Sequence, residues 1–204
     1  MKQYAIYIGI LILFISCKKK NNNPFVITLP HYSSEIEFEG VKSFDTLISW
    51  DWHNDNQMSD RRCYRIQNSK LGIVLENGMV PKRAEKLNQI TIETPIKPNK
   101  FGKANISKWI NETISLYSEE KPAFYKFPIV DSLLIDGRKF GVLSILKEPR
   151  DEKVNKVFYI TNINDEEIVF EFENNLTEFD SLYKKSLIMM KSIKVKPVAN
   201  NGYK

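Results

Sequence analysis

Two cysteines, two histidines and eight glycines are all that 204 residues provide of these types. Cys17 and Cys63 are too few for a disulfide scaffold or a paired-Cys metal site. The glycines nowhere gather into a phosphate-cradling loop, and no Gly-x-Ser-x-Gly elbow occurs. The longest apolar run, Tyr4–Ser16, has 13 residues, well short of the roughly 20 that a membrane-spanning helix needs. A large charge imbalance is also lacking. Thirty basic residues face 25 acidic ones and are interspersed with them, which is not the concentrated basic footprint of a nucleic-acid binder. These absences weigh against the common motif-bearing enzyme classes, and the length suits one domain with an ordinary hydrophobic core.

The amino terminus has a distinct pattern. Met1-Lys2-Gln3 is a short basic start, Tyr4–Ser16 is apolar, and Cys17 is followed by Lys18-Lys19-Lys20-Asn21-Asn22-Asn23. A cationic start, a 7–15-residue apolar stretch and a small residue before the cut form a cleavable export signal. Phe14-Ile15-Ser16-Cys17 resembles the lipobox of bacterial lipoproteins, with Phe14 in place of the usual Leu. That resemblance implies a diacylglyceryl group on the Cys17 thiol, cleavage before Cys17, and acyl chains that hold the protein to a membrane. Residues 1–16 are then the signal peptide and 17–25 the lipidated cysteine and polar tether. Lys18 differs from the Asp that resembles an inner-membrane retention signal. The expected site is the outer membrane, facing the periplasm. Removing Lys2 with the signal takes the formal charge from +5 to +4. With Cys17 acylated, Cys63 has no partner within the chain.

Residues 26–197 read as one α+β domain, and 198–204 as a disordered tail. Strand alternation marks Glu35–Glu39, Ile48–Trp52, Tyr64–Ile66, Ile73–Glu76 before the Asn77-Gly78 turn, and Ile90–Thr94. The spacing of Ile106, Trp109, Ile110, Thr113, Ile114 and Tyr117 predicts a helix over 104–118, ended by Pro122. Asp136-Gly137 between two apolar runs predicts a hairpin. Phe140–Leu146, apolar on both faces, reads as a covered central strand. Val157–Ile163 and Ile168–Phe172 follow around an Asn164-Asp165 turn. A second helix is predicted over 176–190 with Phe179, Leu182, Tyr183, Leu187 and Met190 inward and Asn175 or Thr177 as cap. Ile193 and Val195 make a short last strand. The expected fold is an antiparallel β-sheet with two main helices packed on it.

The order hairpin, strand, strand, helix, short strand over 126–196 resembles the C-terminal half of the PsbP-like superfamily. Locally the resemblance lies in Ile168-Val169-Phe170-Glu171-Phe172, Leu182 to Met190, and Lys191-Ser192-Ile193-Lys194-Val195. That group includes photosynthetic extrinsic proteins, a nuclear-transport Ran-binding protein and bacterial envelope lipoproteins. It implies an α/β/α sandwich that binds partners and has no shared catalytic centre.

Chemistry-bearing residues concentrate in 51–65. His31 and His53, the only histidines, supply a base for Cys63 only if the fold brings them together. Asp51, His53, Asp55 and Asp60 lack the Gly and the twelfth-position Glu of a calcium loop, since Asn56 and Arg62 stand there. No metal and no cofactor is expected. Arg61, Cys63 and Arg65 alternate onto one strand face, where guanidinium groups would favour a thiolate if the thiol is exposed. Trp50, Trp52 and Trp109 read as core. The expected function is non-catalytic: a lipid-anchored envelope protein binding an unknown protein partner, with Trp52, His53, Arg61 and Arg65 as candidate contacts. The alternatives are an immunity-type lipoprotein that neutralises a toxin, and an enzyme using residues 51–65.

Overall fold

The structure is a computed structural model that describes residues 25–29, 34–39, 44, 46–52, 61–67, 88–95, 105–120, 124–147, 154–163, 166–174 and 179–197. Several expectations lie outside these residues: the leader, Cys17 and its tether, His31, His53, the 54–60 loop, the 73–78 strand and turn, the Asn164-Asp165 turn, the Asn175 and Thr177 caps, and the tail after residue 197.

Alternating and apolar segments become strands β1 Phe25–Leu29, β2 Ser34–Phe38, β3 Thr46–Trp52, β4 Arg61–Gln67 and β5 Asn88–Pro95. Helix α1, Ile106–Glu120, follows. Strands β6 Tyr125–Lys126, β7 Val130–Ile135, β8 Arg138–Lys147, β9 Val154–Ile163 and β10 Glu166–Asn174 come next. Helix α2, Phe179–Lys191, and strand β11, Lys194–Pro197, complete the order. The hairpin at Asp136-Gly137 is observed. Both residues have positive φ, 49° and 71°, the conformation of a two-residue type I′ turn, whose twist matches that of the strands it joins.

An eight-stranded antiparallel sheet has the order β3-β4-β5-β10-β9-β8-β6, with β7 also on β8. The fold is therefore α+β, as expected. One feature differs from the expectation of a single sheet: β1, β2 and β11 form a separate three-stranded sheet. Ile27, Leu29 and Ile36 are buried beneath it, and the Tyr64 hydroxyl donates to the Thr28 carbonyl at 2.7 Å, fastening it to β4.

The large sheet buries both faces, because period-2 alternation sends successive apolar residues to opposite sides. On one side Leu143, Ile145, Phe158, Ile160 and Val169 meet Ile106, Trp109, Ile110, Ile114 and Tyr117 of α1. On the other, Phe140, Val142, Val157, Tyr159, Ile168, Phe170 and Phe172 meet α2 and the small sheet. Phe140–Ile145 of β8 is buried throughout, as expected of a covered strand. Helix α2 starts near its expected position but turns a somewhat different face inward. Met189 joins Leu182 and Met190 in the core, and buried Ser186 meets the Tyr159 hydroxyl at 2.9 Å.

Between Lys126↔Leu146 and Val130↔Leu143, residues 127–129 oppose only 144–145, which makes a bulge. Pro128, which has no N–H to donate, sits within it. Buried Ser144 repairs the ladder: its hydroxyl oxygen accepts from the Ile129 N–H at 2.8 Å, and its own N–H donates to the Ile129 carbonyl at 2.9 Å.

Candidate interaction face

The α1 side of the large sheet changes character from one edge to the other. One cross-strand row runs Gly141, Ile160, Val169, Glu93, Cys63. The next runs Leu143, Phe158, Glu171, Thr91, Arg65, and a third runs Ile145, Lys156, Glu173, Gln89, Gln67. Each row starts apolar on β8 and turns polar toward β4, the first ending at Cys63 beside Glu93 and the others at Arg65 and Gln67. Helix α1 covers the apolar half, and no other described helix lies on this side.

The charges of the polar half are engaged with one another. The Arg61 guanidinium donates to Glu167 at 3.0 Å and stands 3.9 Å from Glu93. Lys156 pairs with Glu171 and lies 3.7 Å from Glu173, whose carboxylate also accepts from Gln89 at 2.8 Å. Burial alone would lower the Lys156 ammonium, but Glu171 and Glu173 outweigh it and hold it above its ordinary value. Burial pushes the Glu93 carboxyl up, against the pull of Arg61. Burial also lowers the Arg65 guanidinium, opposed by Glu173 and Glu171, and Arg65 Nε donates to Thr91 at 3.4 Å.

The expected contact residues therefore separate. Arg61 and Arg65 share a face, as expected, but are committed to neighbours in the sheet. Trp52 ends β3 opposite Arg61 in the register, and His53 lies outside the described residues. Cys63 between the arginines is 6% exposed, which shields the thiol from solution reagents. Among the described residues no three His, Cys, Asp or Glu side chains gather as metal ligands.

Sequence reasoning did not single out a cleft of about 660 Å³ at the opposite edge of this side. Asn105 with Ser107 and Asn111 of α1 forms one wall, and Ser132, Lys139 and Asn162 line the sheet below. Asn105 caps α1: its side-chain oxygen accepts from the Lys108 N–H at 3.0 Å and its carbonyl from the Trp109 N–H at 3.0 Å. Gly141 sets the floor, since a Cβ there would run into Ile106 Cγ2 and come within 2.9 Å of Ile110 Cδ1.

Strand β7 borders the cleft, and among the described residues it pairs with β8 alone. In a two-residue hairpin the flanking pair Ile135–Arg138 exchanges hydrogen bonds, so the backbone groups of Val130, Ser132 and Leu134 point away from β8. Asp131 accepts from the outward Ser132 N–H at 2.7 Å and blunts the edge there. Val130 and Leu134 remain 54% and 75% exposed. Their only signal in the sequence is an apolar pair at i and i+4 on a strand, which looks the same whether it is covered or bare.

No protein-family profile and no curated protein matches the chain. Among solved structures, the cyanobacterial PsbP (CyanoP) from Synechocystis sp. PCC 6803 is similar, with a TM-score of 0.50 and 11% identity over 89% of this chain and 98% of that one. PA94 from Pseudomonas aeruginosa, a protein of unknown function, is similar more loosely: TM-score 0.38 and 6% identity over 81% of this chain and 94% of that one. At 11% identity the likeness extends to the fold alone: the chain folds as a PsbP-like antiparallel sheet flanked by helices, now including the N-terminal strands that the sequence pattern did not reach.

Proposed function

We propose that this chain is a lipid-anchored protein of the bacterial cell envelope, held by acyl chains on Cys17, whose PsbP-like domain binds a protein partner without catalysing a reaction. The anchor is supported by the basic start, the 13-residue apolar run and the Ile15-Ser16-Cys17 sequence. Two or three acyl chains give durable attachment where one is marginal. Lys18 after Cys17 favours the outer membrane, with the domain in the periplasm.

The observation that carries the partner-binding reading is the β7 edge beside the cleft, which no other described strand pairs. Exposed apolar side chains next to unpaired strand backbone are what an added partner strand uses, through main-chain hydrogen bonds and alternate side-chain contacts. The Arg61–Glu93–Glu167 and Lys156–Glu171–Glu173 groups contribute a rigid floor more than a set of free handles.

A photo-crosslinker at Leu134 in the membrane-bound protein tests this reading. A discrete adduct that is lost in the Val130→Asp/Leu134→Asp double variant is expected. Adducts scattered equally over abundant envelope proteins would overturn partner binding. Mass spectrometry of the N-terminal peptide tests the anchor, and an unmodified Cys17 would overturn it.

A further inference from the structure

The two helical layers present different surfaces to solvent. Outward positions of α1 include Lys108, Glu112 and Glu119, with Lys108 paired to Glu112 at 3.6 Å. Outward positions of α2 include Lys184, Lys185, Ile188 and Lys191. The lysines stand four and three residues before Ile188 and three after it, so on a helix they ring it on one side. Ile188 is 68% exposed. No ion pair joins these three lysines to another described residue. Asp180, the acid on this helix, lies in its first turn.

The fold brings this face to the corner where the chain enters the domain. Phe25 pairs with Phe38, and the next residue, Glu39, donates its N–H at 2.9 Å to Ser192, which directly follows α2. Eight residue steps from Cys17 to Phe25 reach at most about 28 Å, and the thirteen residues of α2 span about 20 Å. The tether itself carries Lys18, Lys19 and Lys20. On the neighbouring small sheet, Glu37 bonds Lys196 and stands opposite Lys194, so that surface balances itself. The surplus positive charge at this corner therefore belongs to α2 and the tether.

We infer that the Lys184–Lys185–Ile188–Lys191 face of α2 docks on an anionic phospholipid surface. The ammonium groups meet lipid phosphates and Ile188 enters the interface, the arrangement of a basic amphipathic helix lying on a bilayer. The inference rests on the lipid-anchored reading, since the acyl group on Cys17 brings the corner to the membrane. Docked this way, the molecule turns α1, the cleft and β7 away from the bilayer.

The test uses the chain from residue 17 with Cys17→Ser, so that no acyl group contributes, and vesicles of phosphatidylcholine with or without phosphatidylglycerol. Binding only to the anionic vesicles is expected, weakened by added salt. The triple variant Lys184→Gln/Lys185→Gln/Lys191→Gln should partition roughly a hundredfold less, as three lost lysine–headgroup contacts imply. Ile188→Ser should also weaken binding, and unchanged circular dichroism checks that each variant folds. Equal binding by triple variant and parent, equal binding to neutral vesicles, or no vesicle binding would overturn the inference. So would lysine-dependent capture of an acidic protein by a chain that ignores vesicles. The N-terminal mass separates the two readings: a bare Cys17 removes the anchor and leaves the vesicle result standing, while an acylated Cys17 with indifferent lysines removes only the docking face.

Discussion

Lys156 and Tyr159 show what a single position on β9 has to satisfy. Lys156 projects toward α1, into the Glu171–Glu173 pair. Tyr159 projects to the other side, fully buried, with its hydroxyl against Ser186. Both hold their protons more tightly in the fold than in the unfolded chain. Burial pushes the Tyr159 phenol up, and the two carboxylates keep Lys156 charged. Burial raises the Tyr117 phenol as well. Unfolded Lys and Tyr release protons near pH 10. The stability linked to these groups is therefore complete below that pH and falls as pH rises, by about 1.4 kcal/mol per pH unit for each proton retained. Urea titrations at successive pH values above 10 should show this decline, and Tyr159→Phe should reduce its slope by about 1.4 kcal/mol per pH unit. An unchanged slope would mean that Tyr159 titrates normally. These pairings were not legible in the sequence. In the sequence Glu171 and Glu173 only alternate with apolar residues, and it is the register placing Glu173 beside Lys156 that makes them a part-buried charge group. The alternation of Arg61, Cys63 and Arg65 was legible, but their internal partners on β5 and β10 were not, because those residues are 26 to 106 positions away.

Elements were easier to read than their partners. The α1 stripe was legible because five large apolar residues repeat at helical spacing, and all five pack on the sheet. The hairpin was legible because Asp-Gly tolerates the positive φ of both turn residues. In the sequence Gly141 is only a small residue in an apolar strand, yet it sets how closely α1 approaches β8. Gly141→Ala places a methyl group against Ile106 and Ile110, where overpacking typically costs about 1–3 kcal/mol. A lowered thermal midpoint and an altered cleft beside Asn105 are the expected outcomes, and an unchanged midpoint would show that α1 can lift without cost. The inward face of α2 was partly missed because Ser186 counts as polar and Met189 falls between the chosen positions. A hydroxyl with a buried tyrosine partner belongs in a core, and sequence spacing does not reveal that partner.

The whole molecule is organised by pairings between distant segments. β5 lies beside β10, with α1 and four strands between them in sequence, and β11 lies beside β2. Consecutive strands neighbour one another in β1-β2, in β3-β4-β5 and in β7 through β10. The crossovers between these runs were not legible, since alternation fixes which side of a strand is apolar but not which strand lies next to it. Ending the chain after Ile193 removes β11, opens one edge of β2 and takes Val195 from the core cluster. A loss of about 2 kcal/mol or more is expected in urea unfolding, and a truncated chain as stable as the parent would show that β11 is ornamental.

The place of β11 also fixes an order of events. Every other described segment leaves the ribosome before it, so the small sheet stays unlatched while the rest of the polypeptide is made. Under the export proposed above, in which the chain crosses a membrane unfolded, β11 reaches β2 only after all that precedes it has passed through.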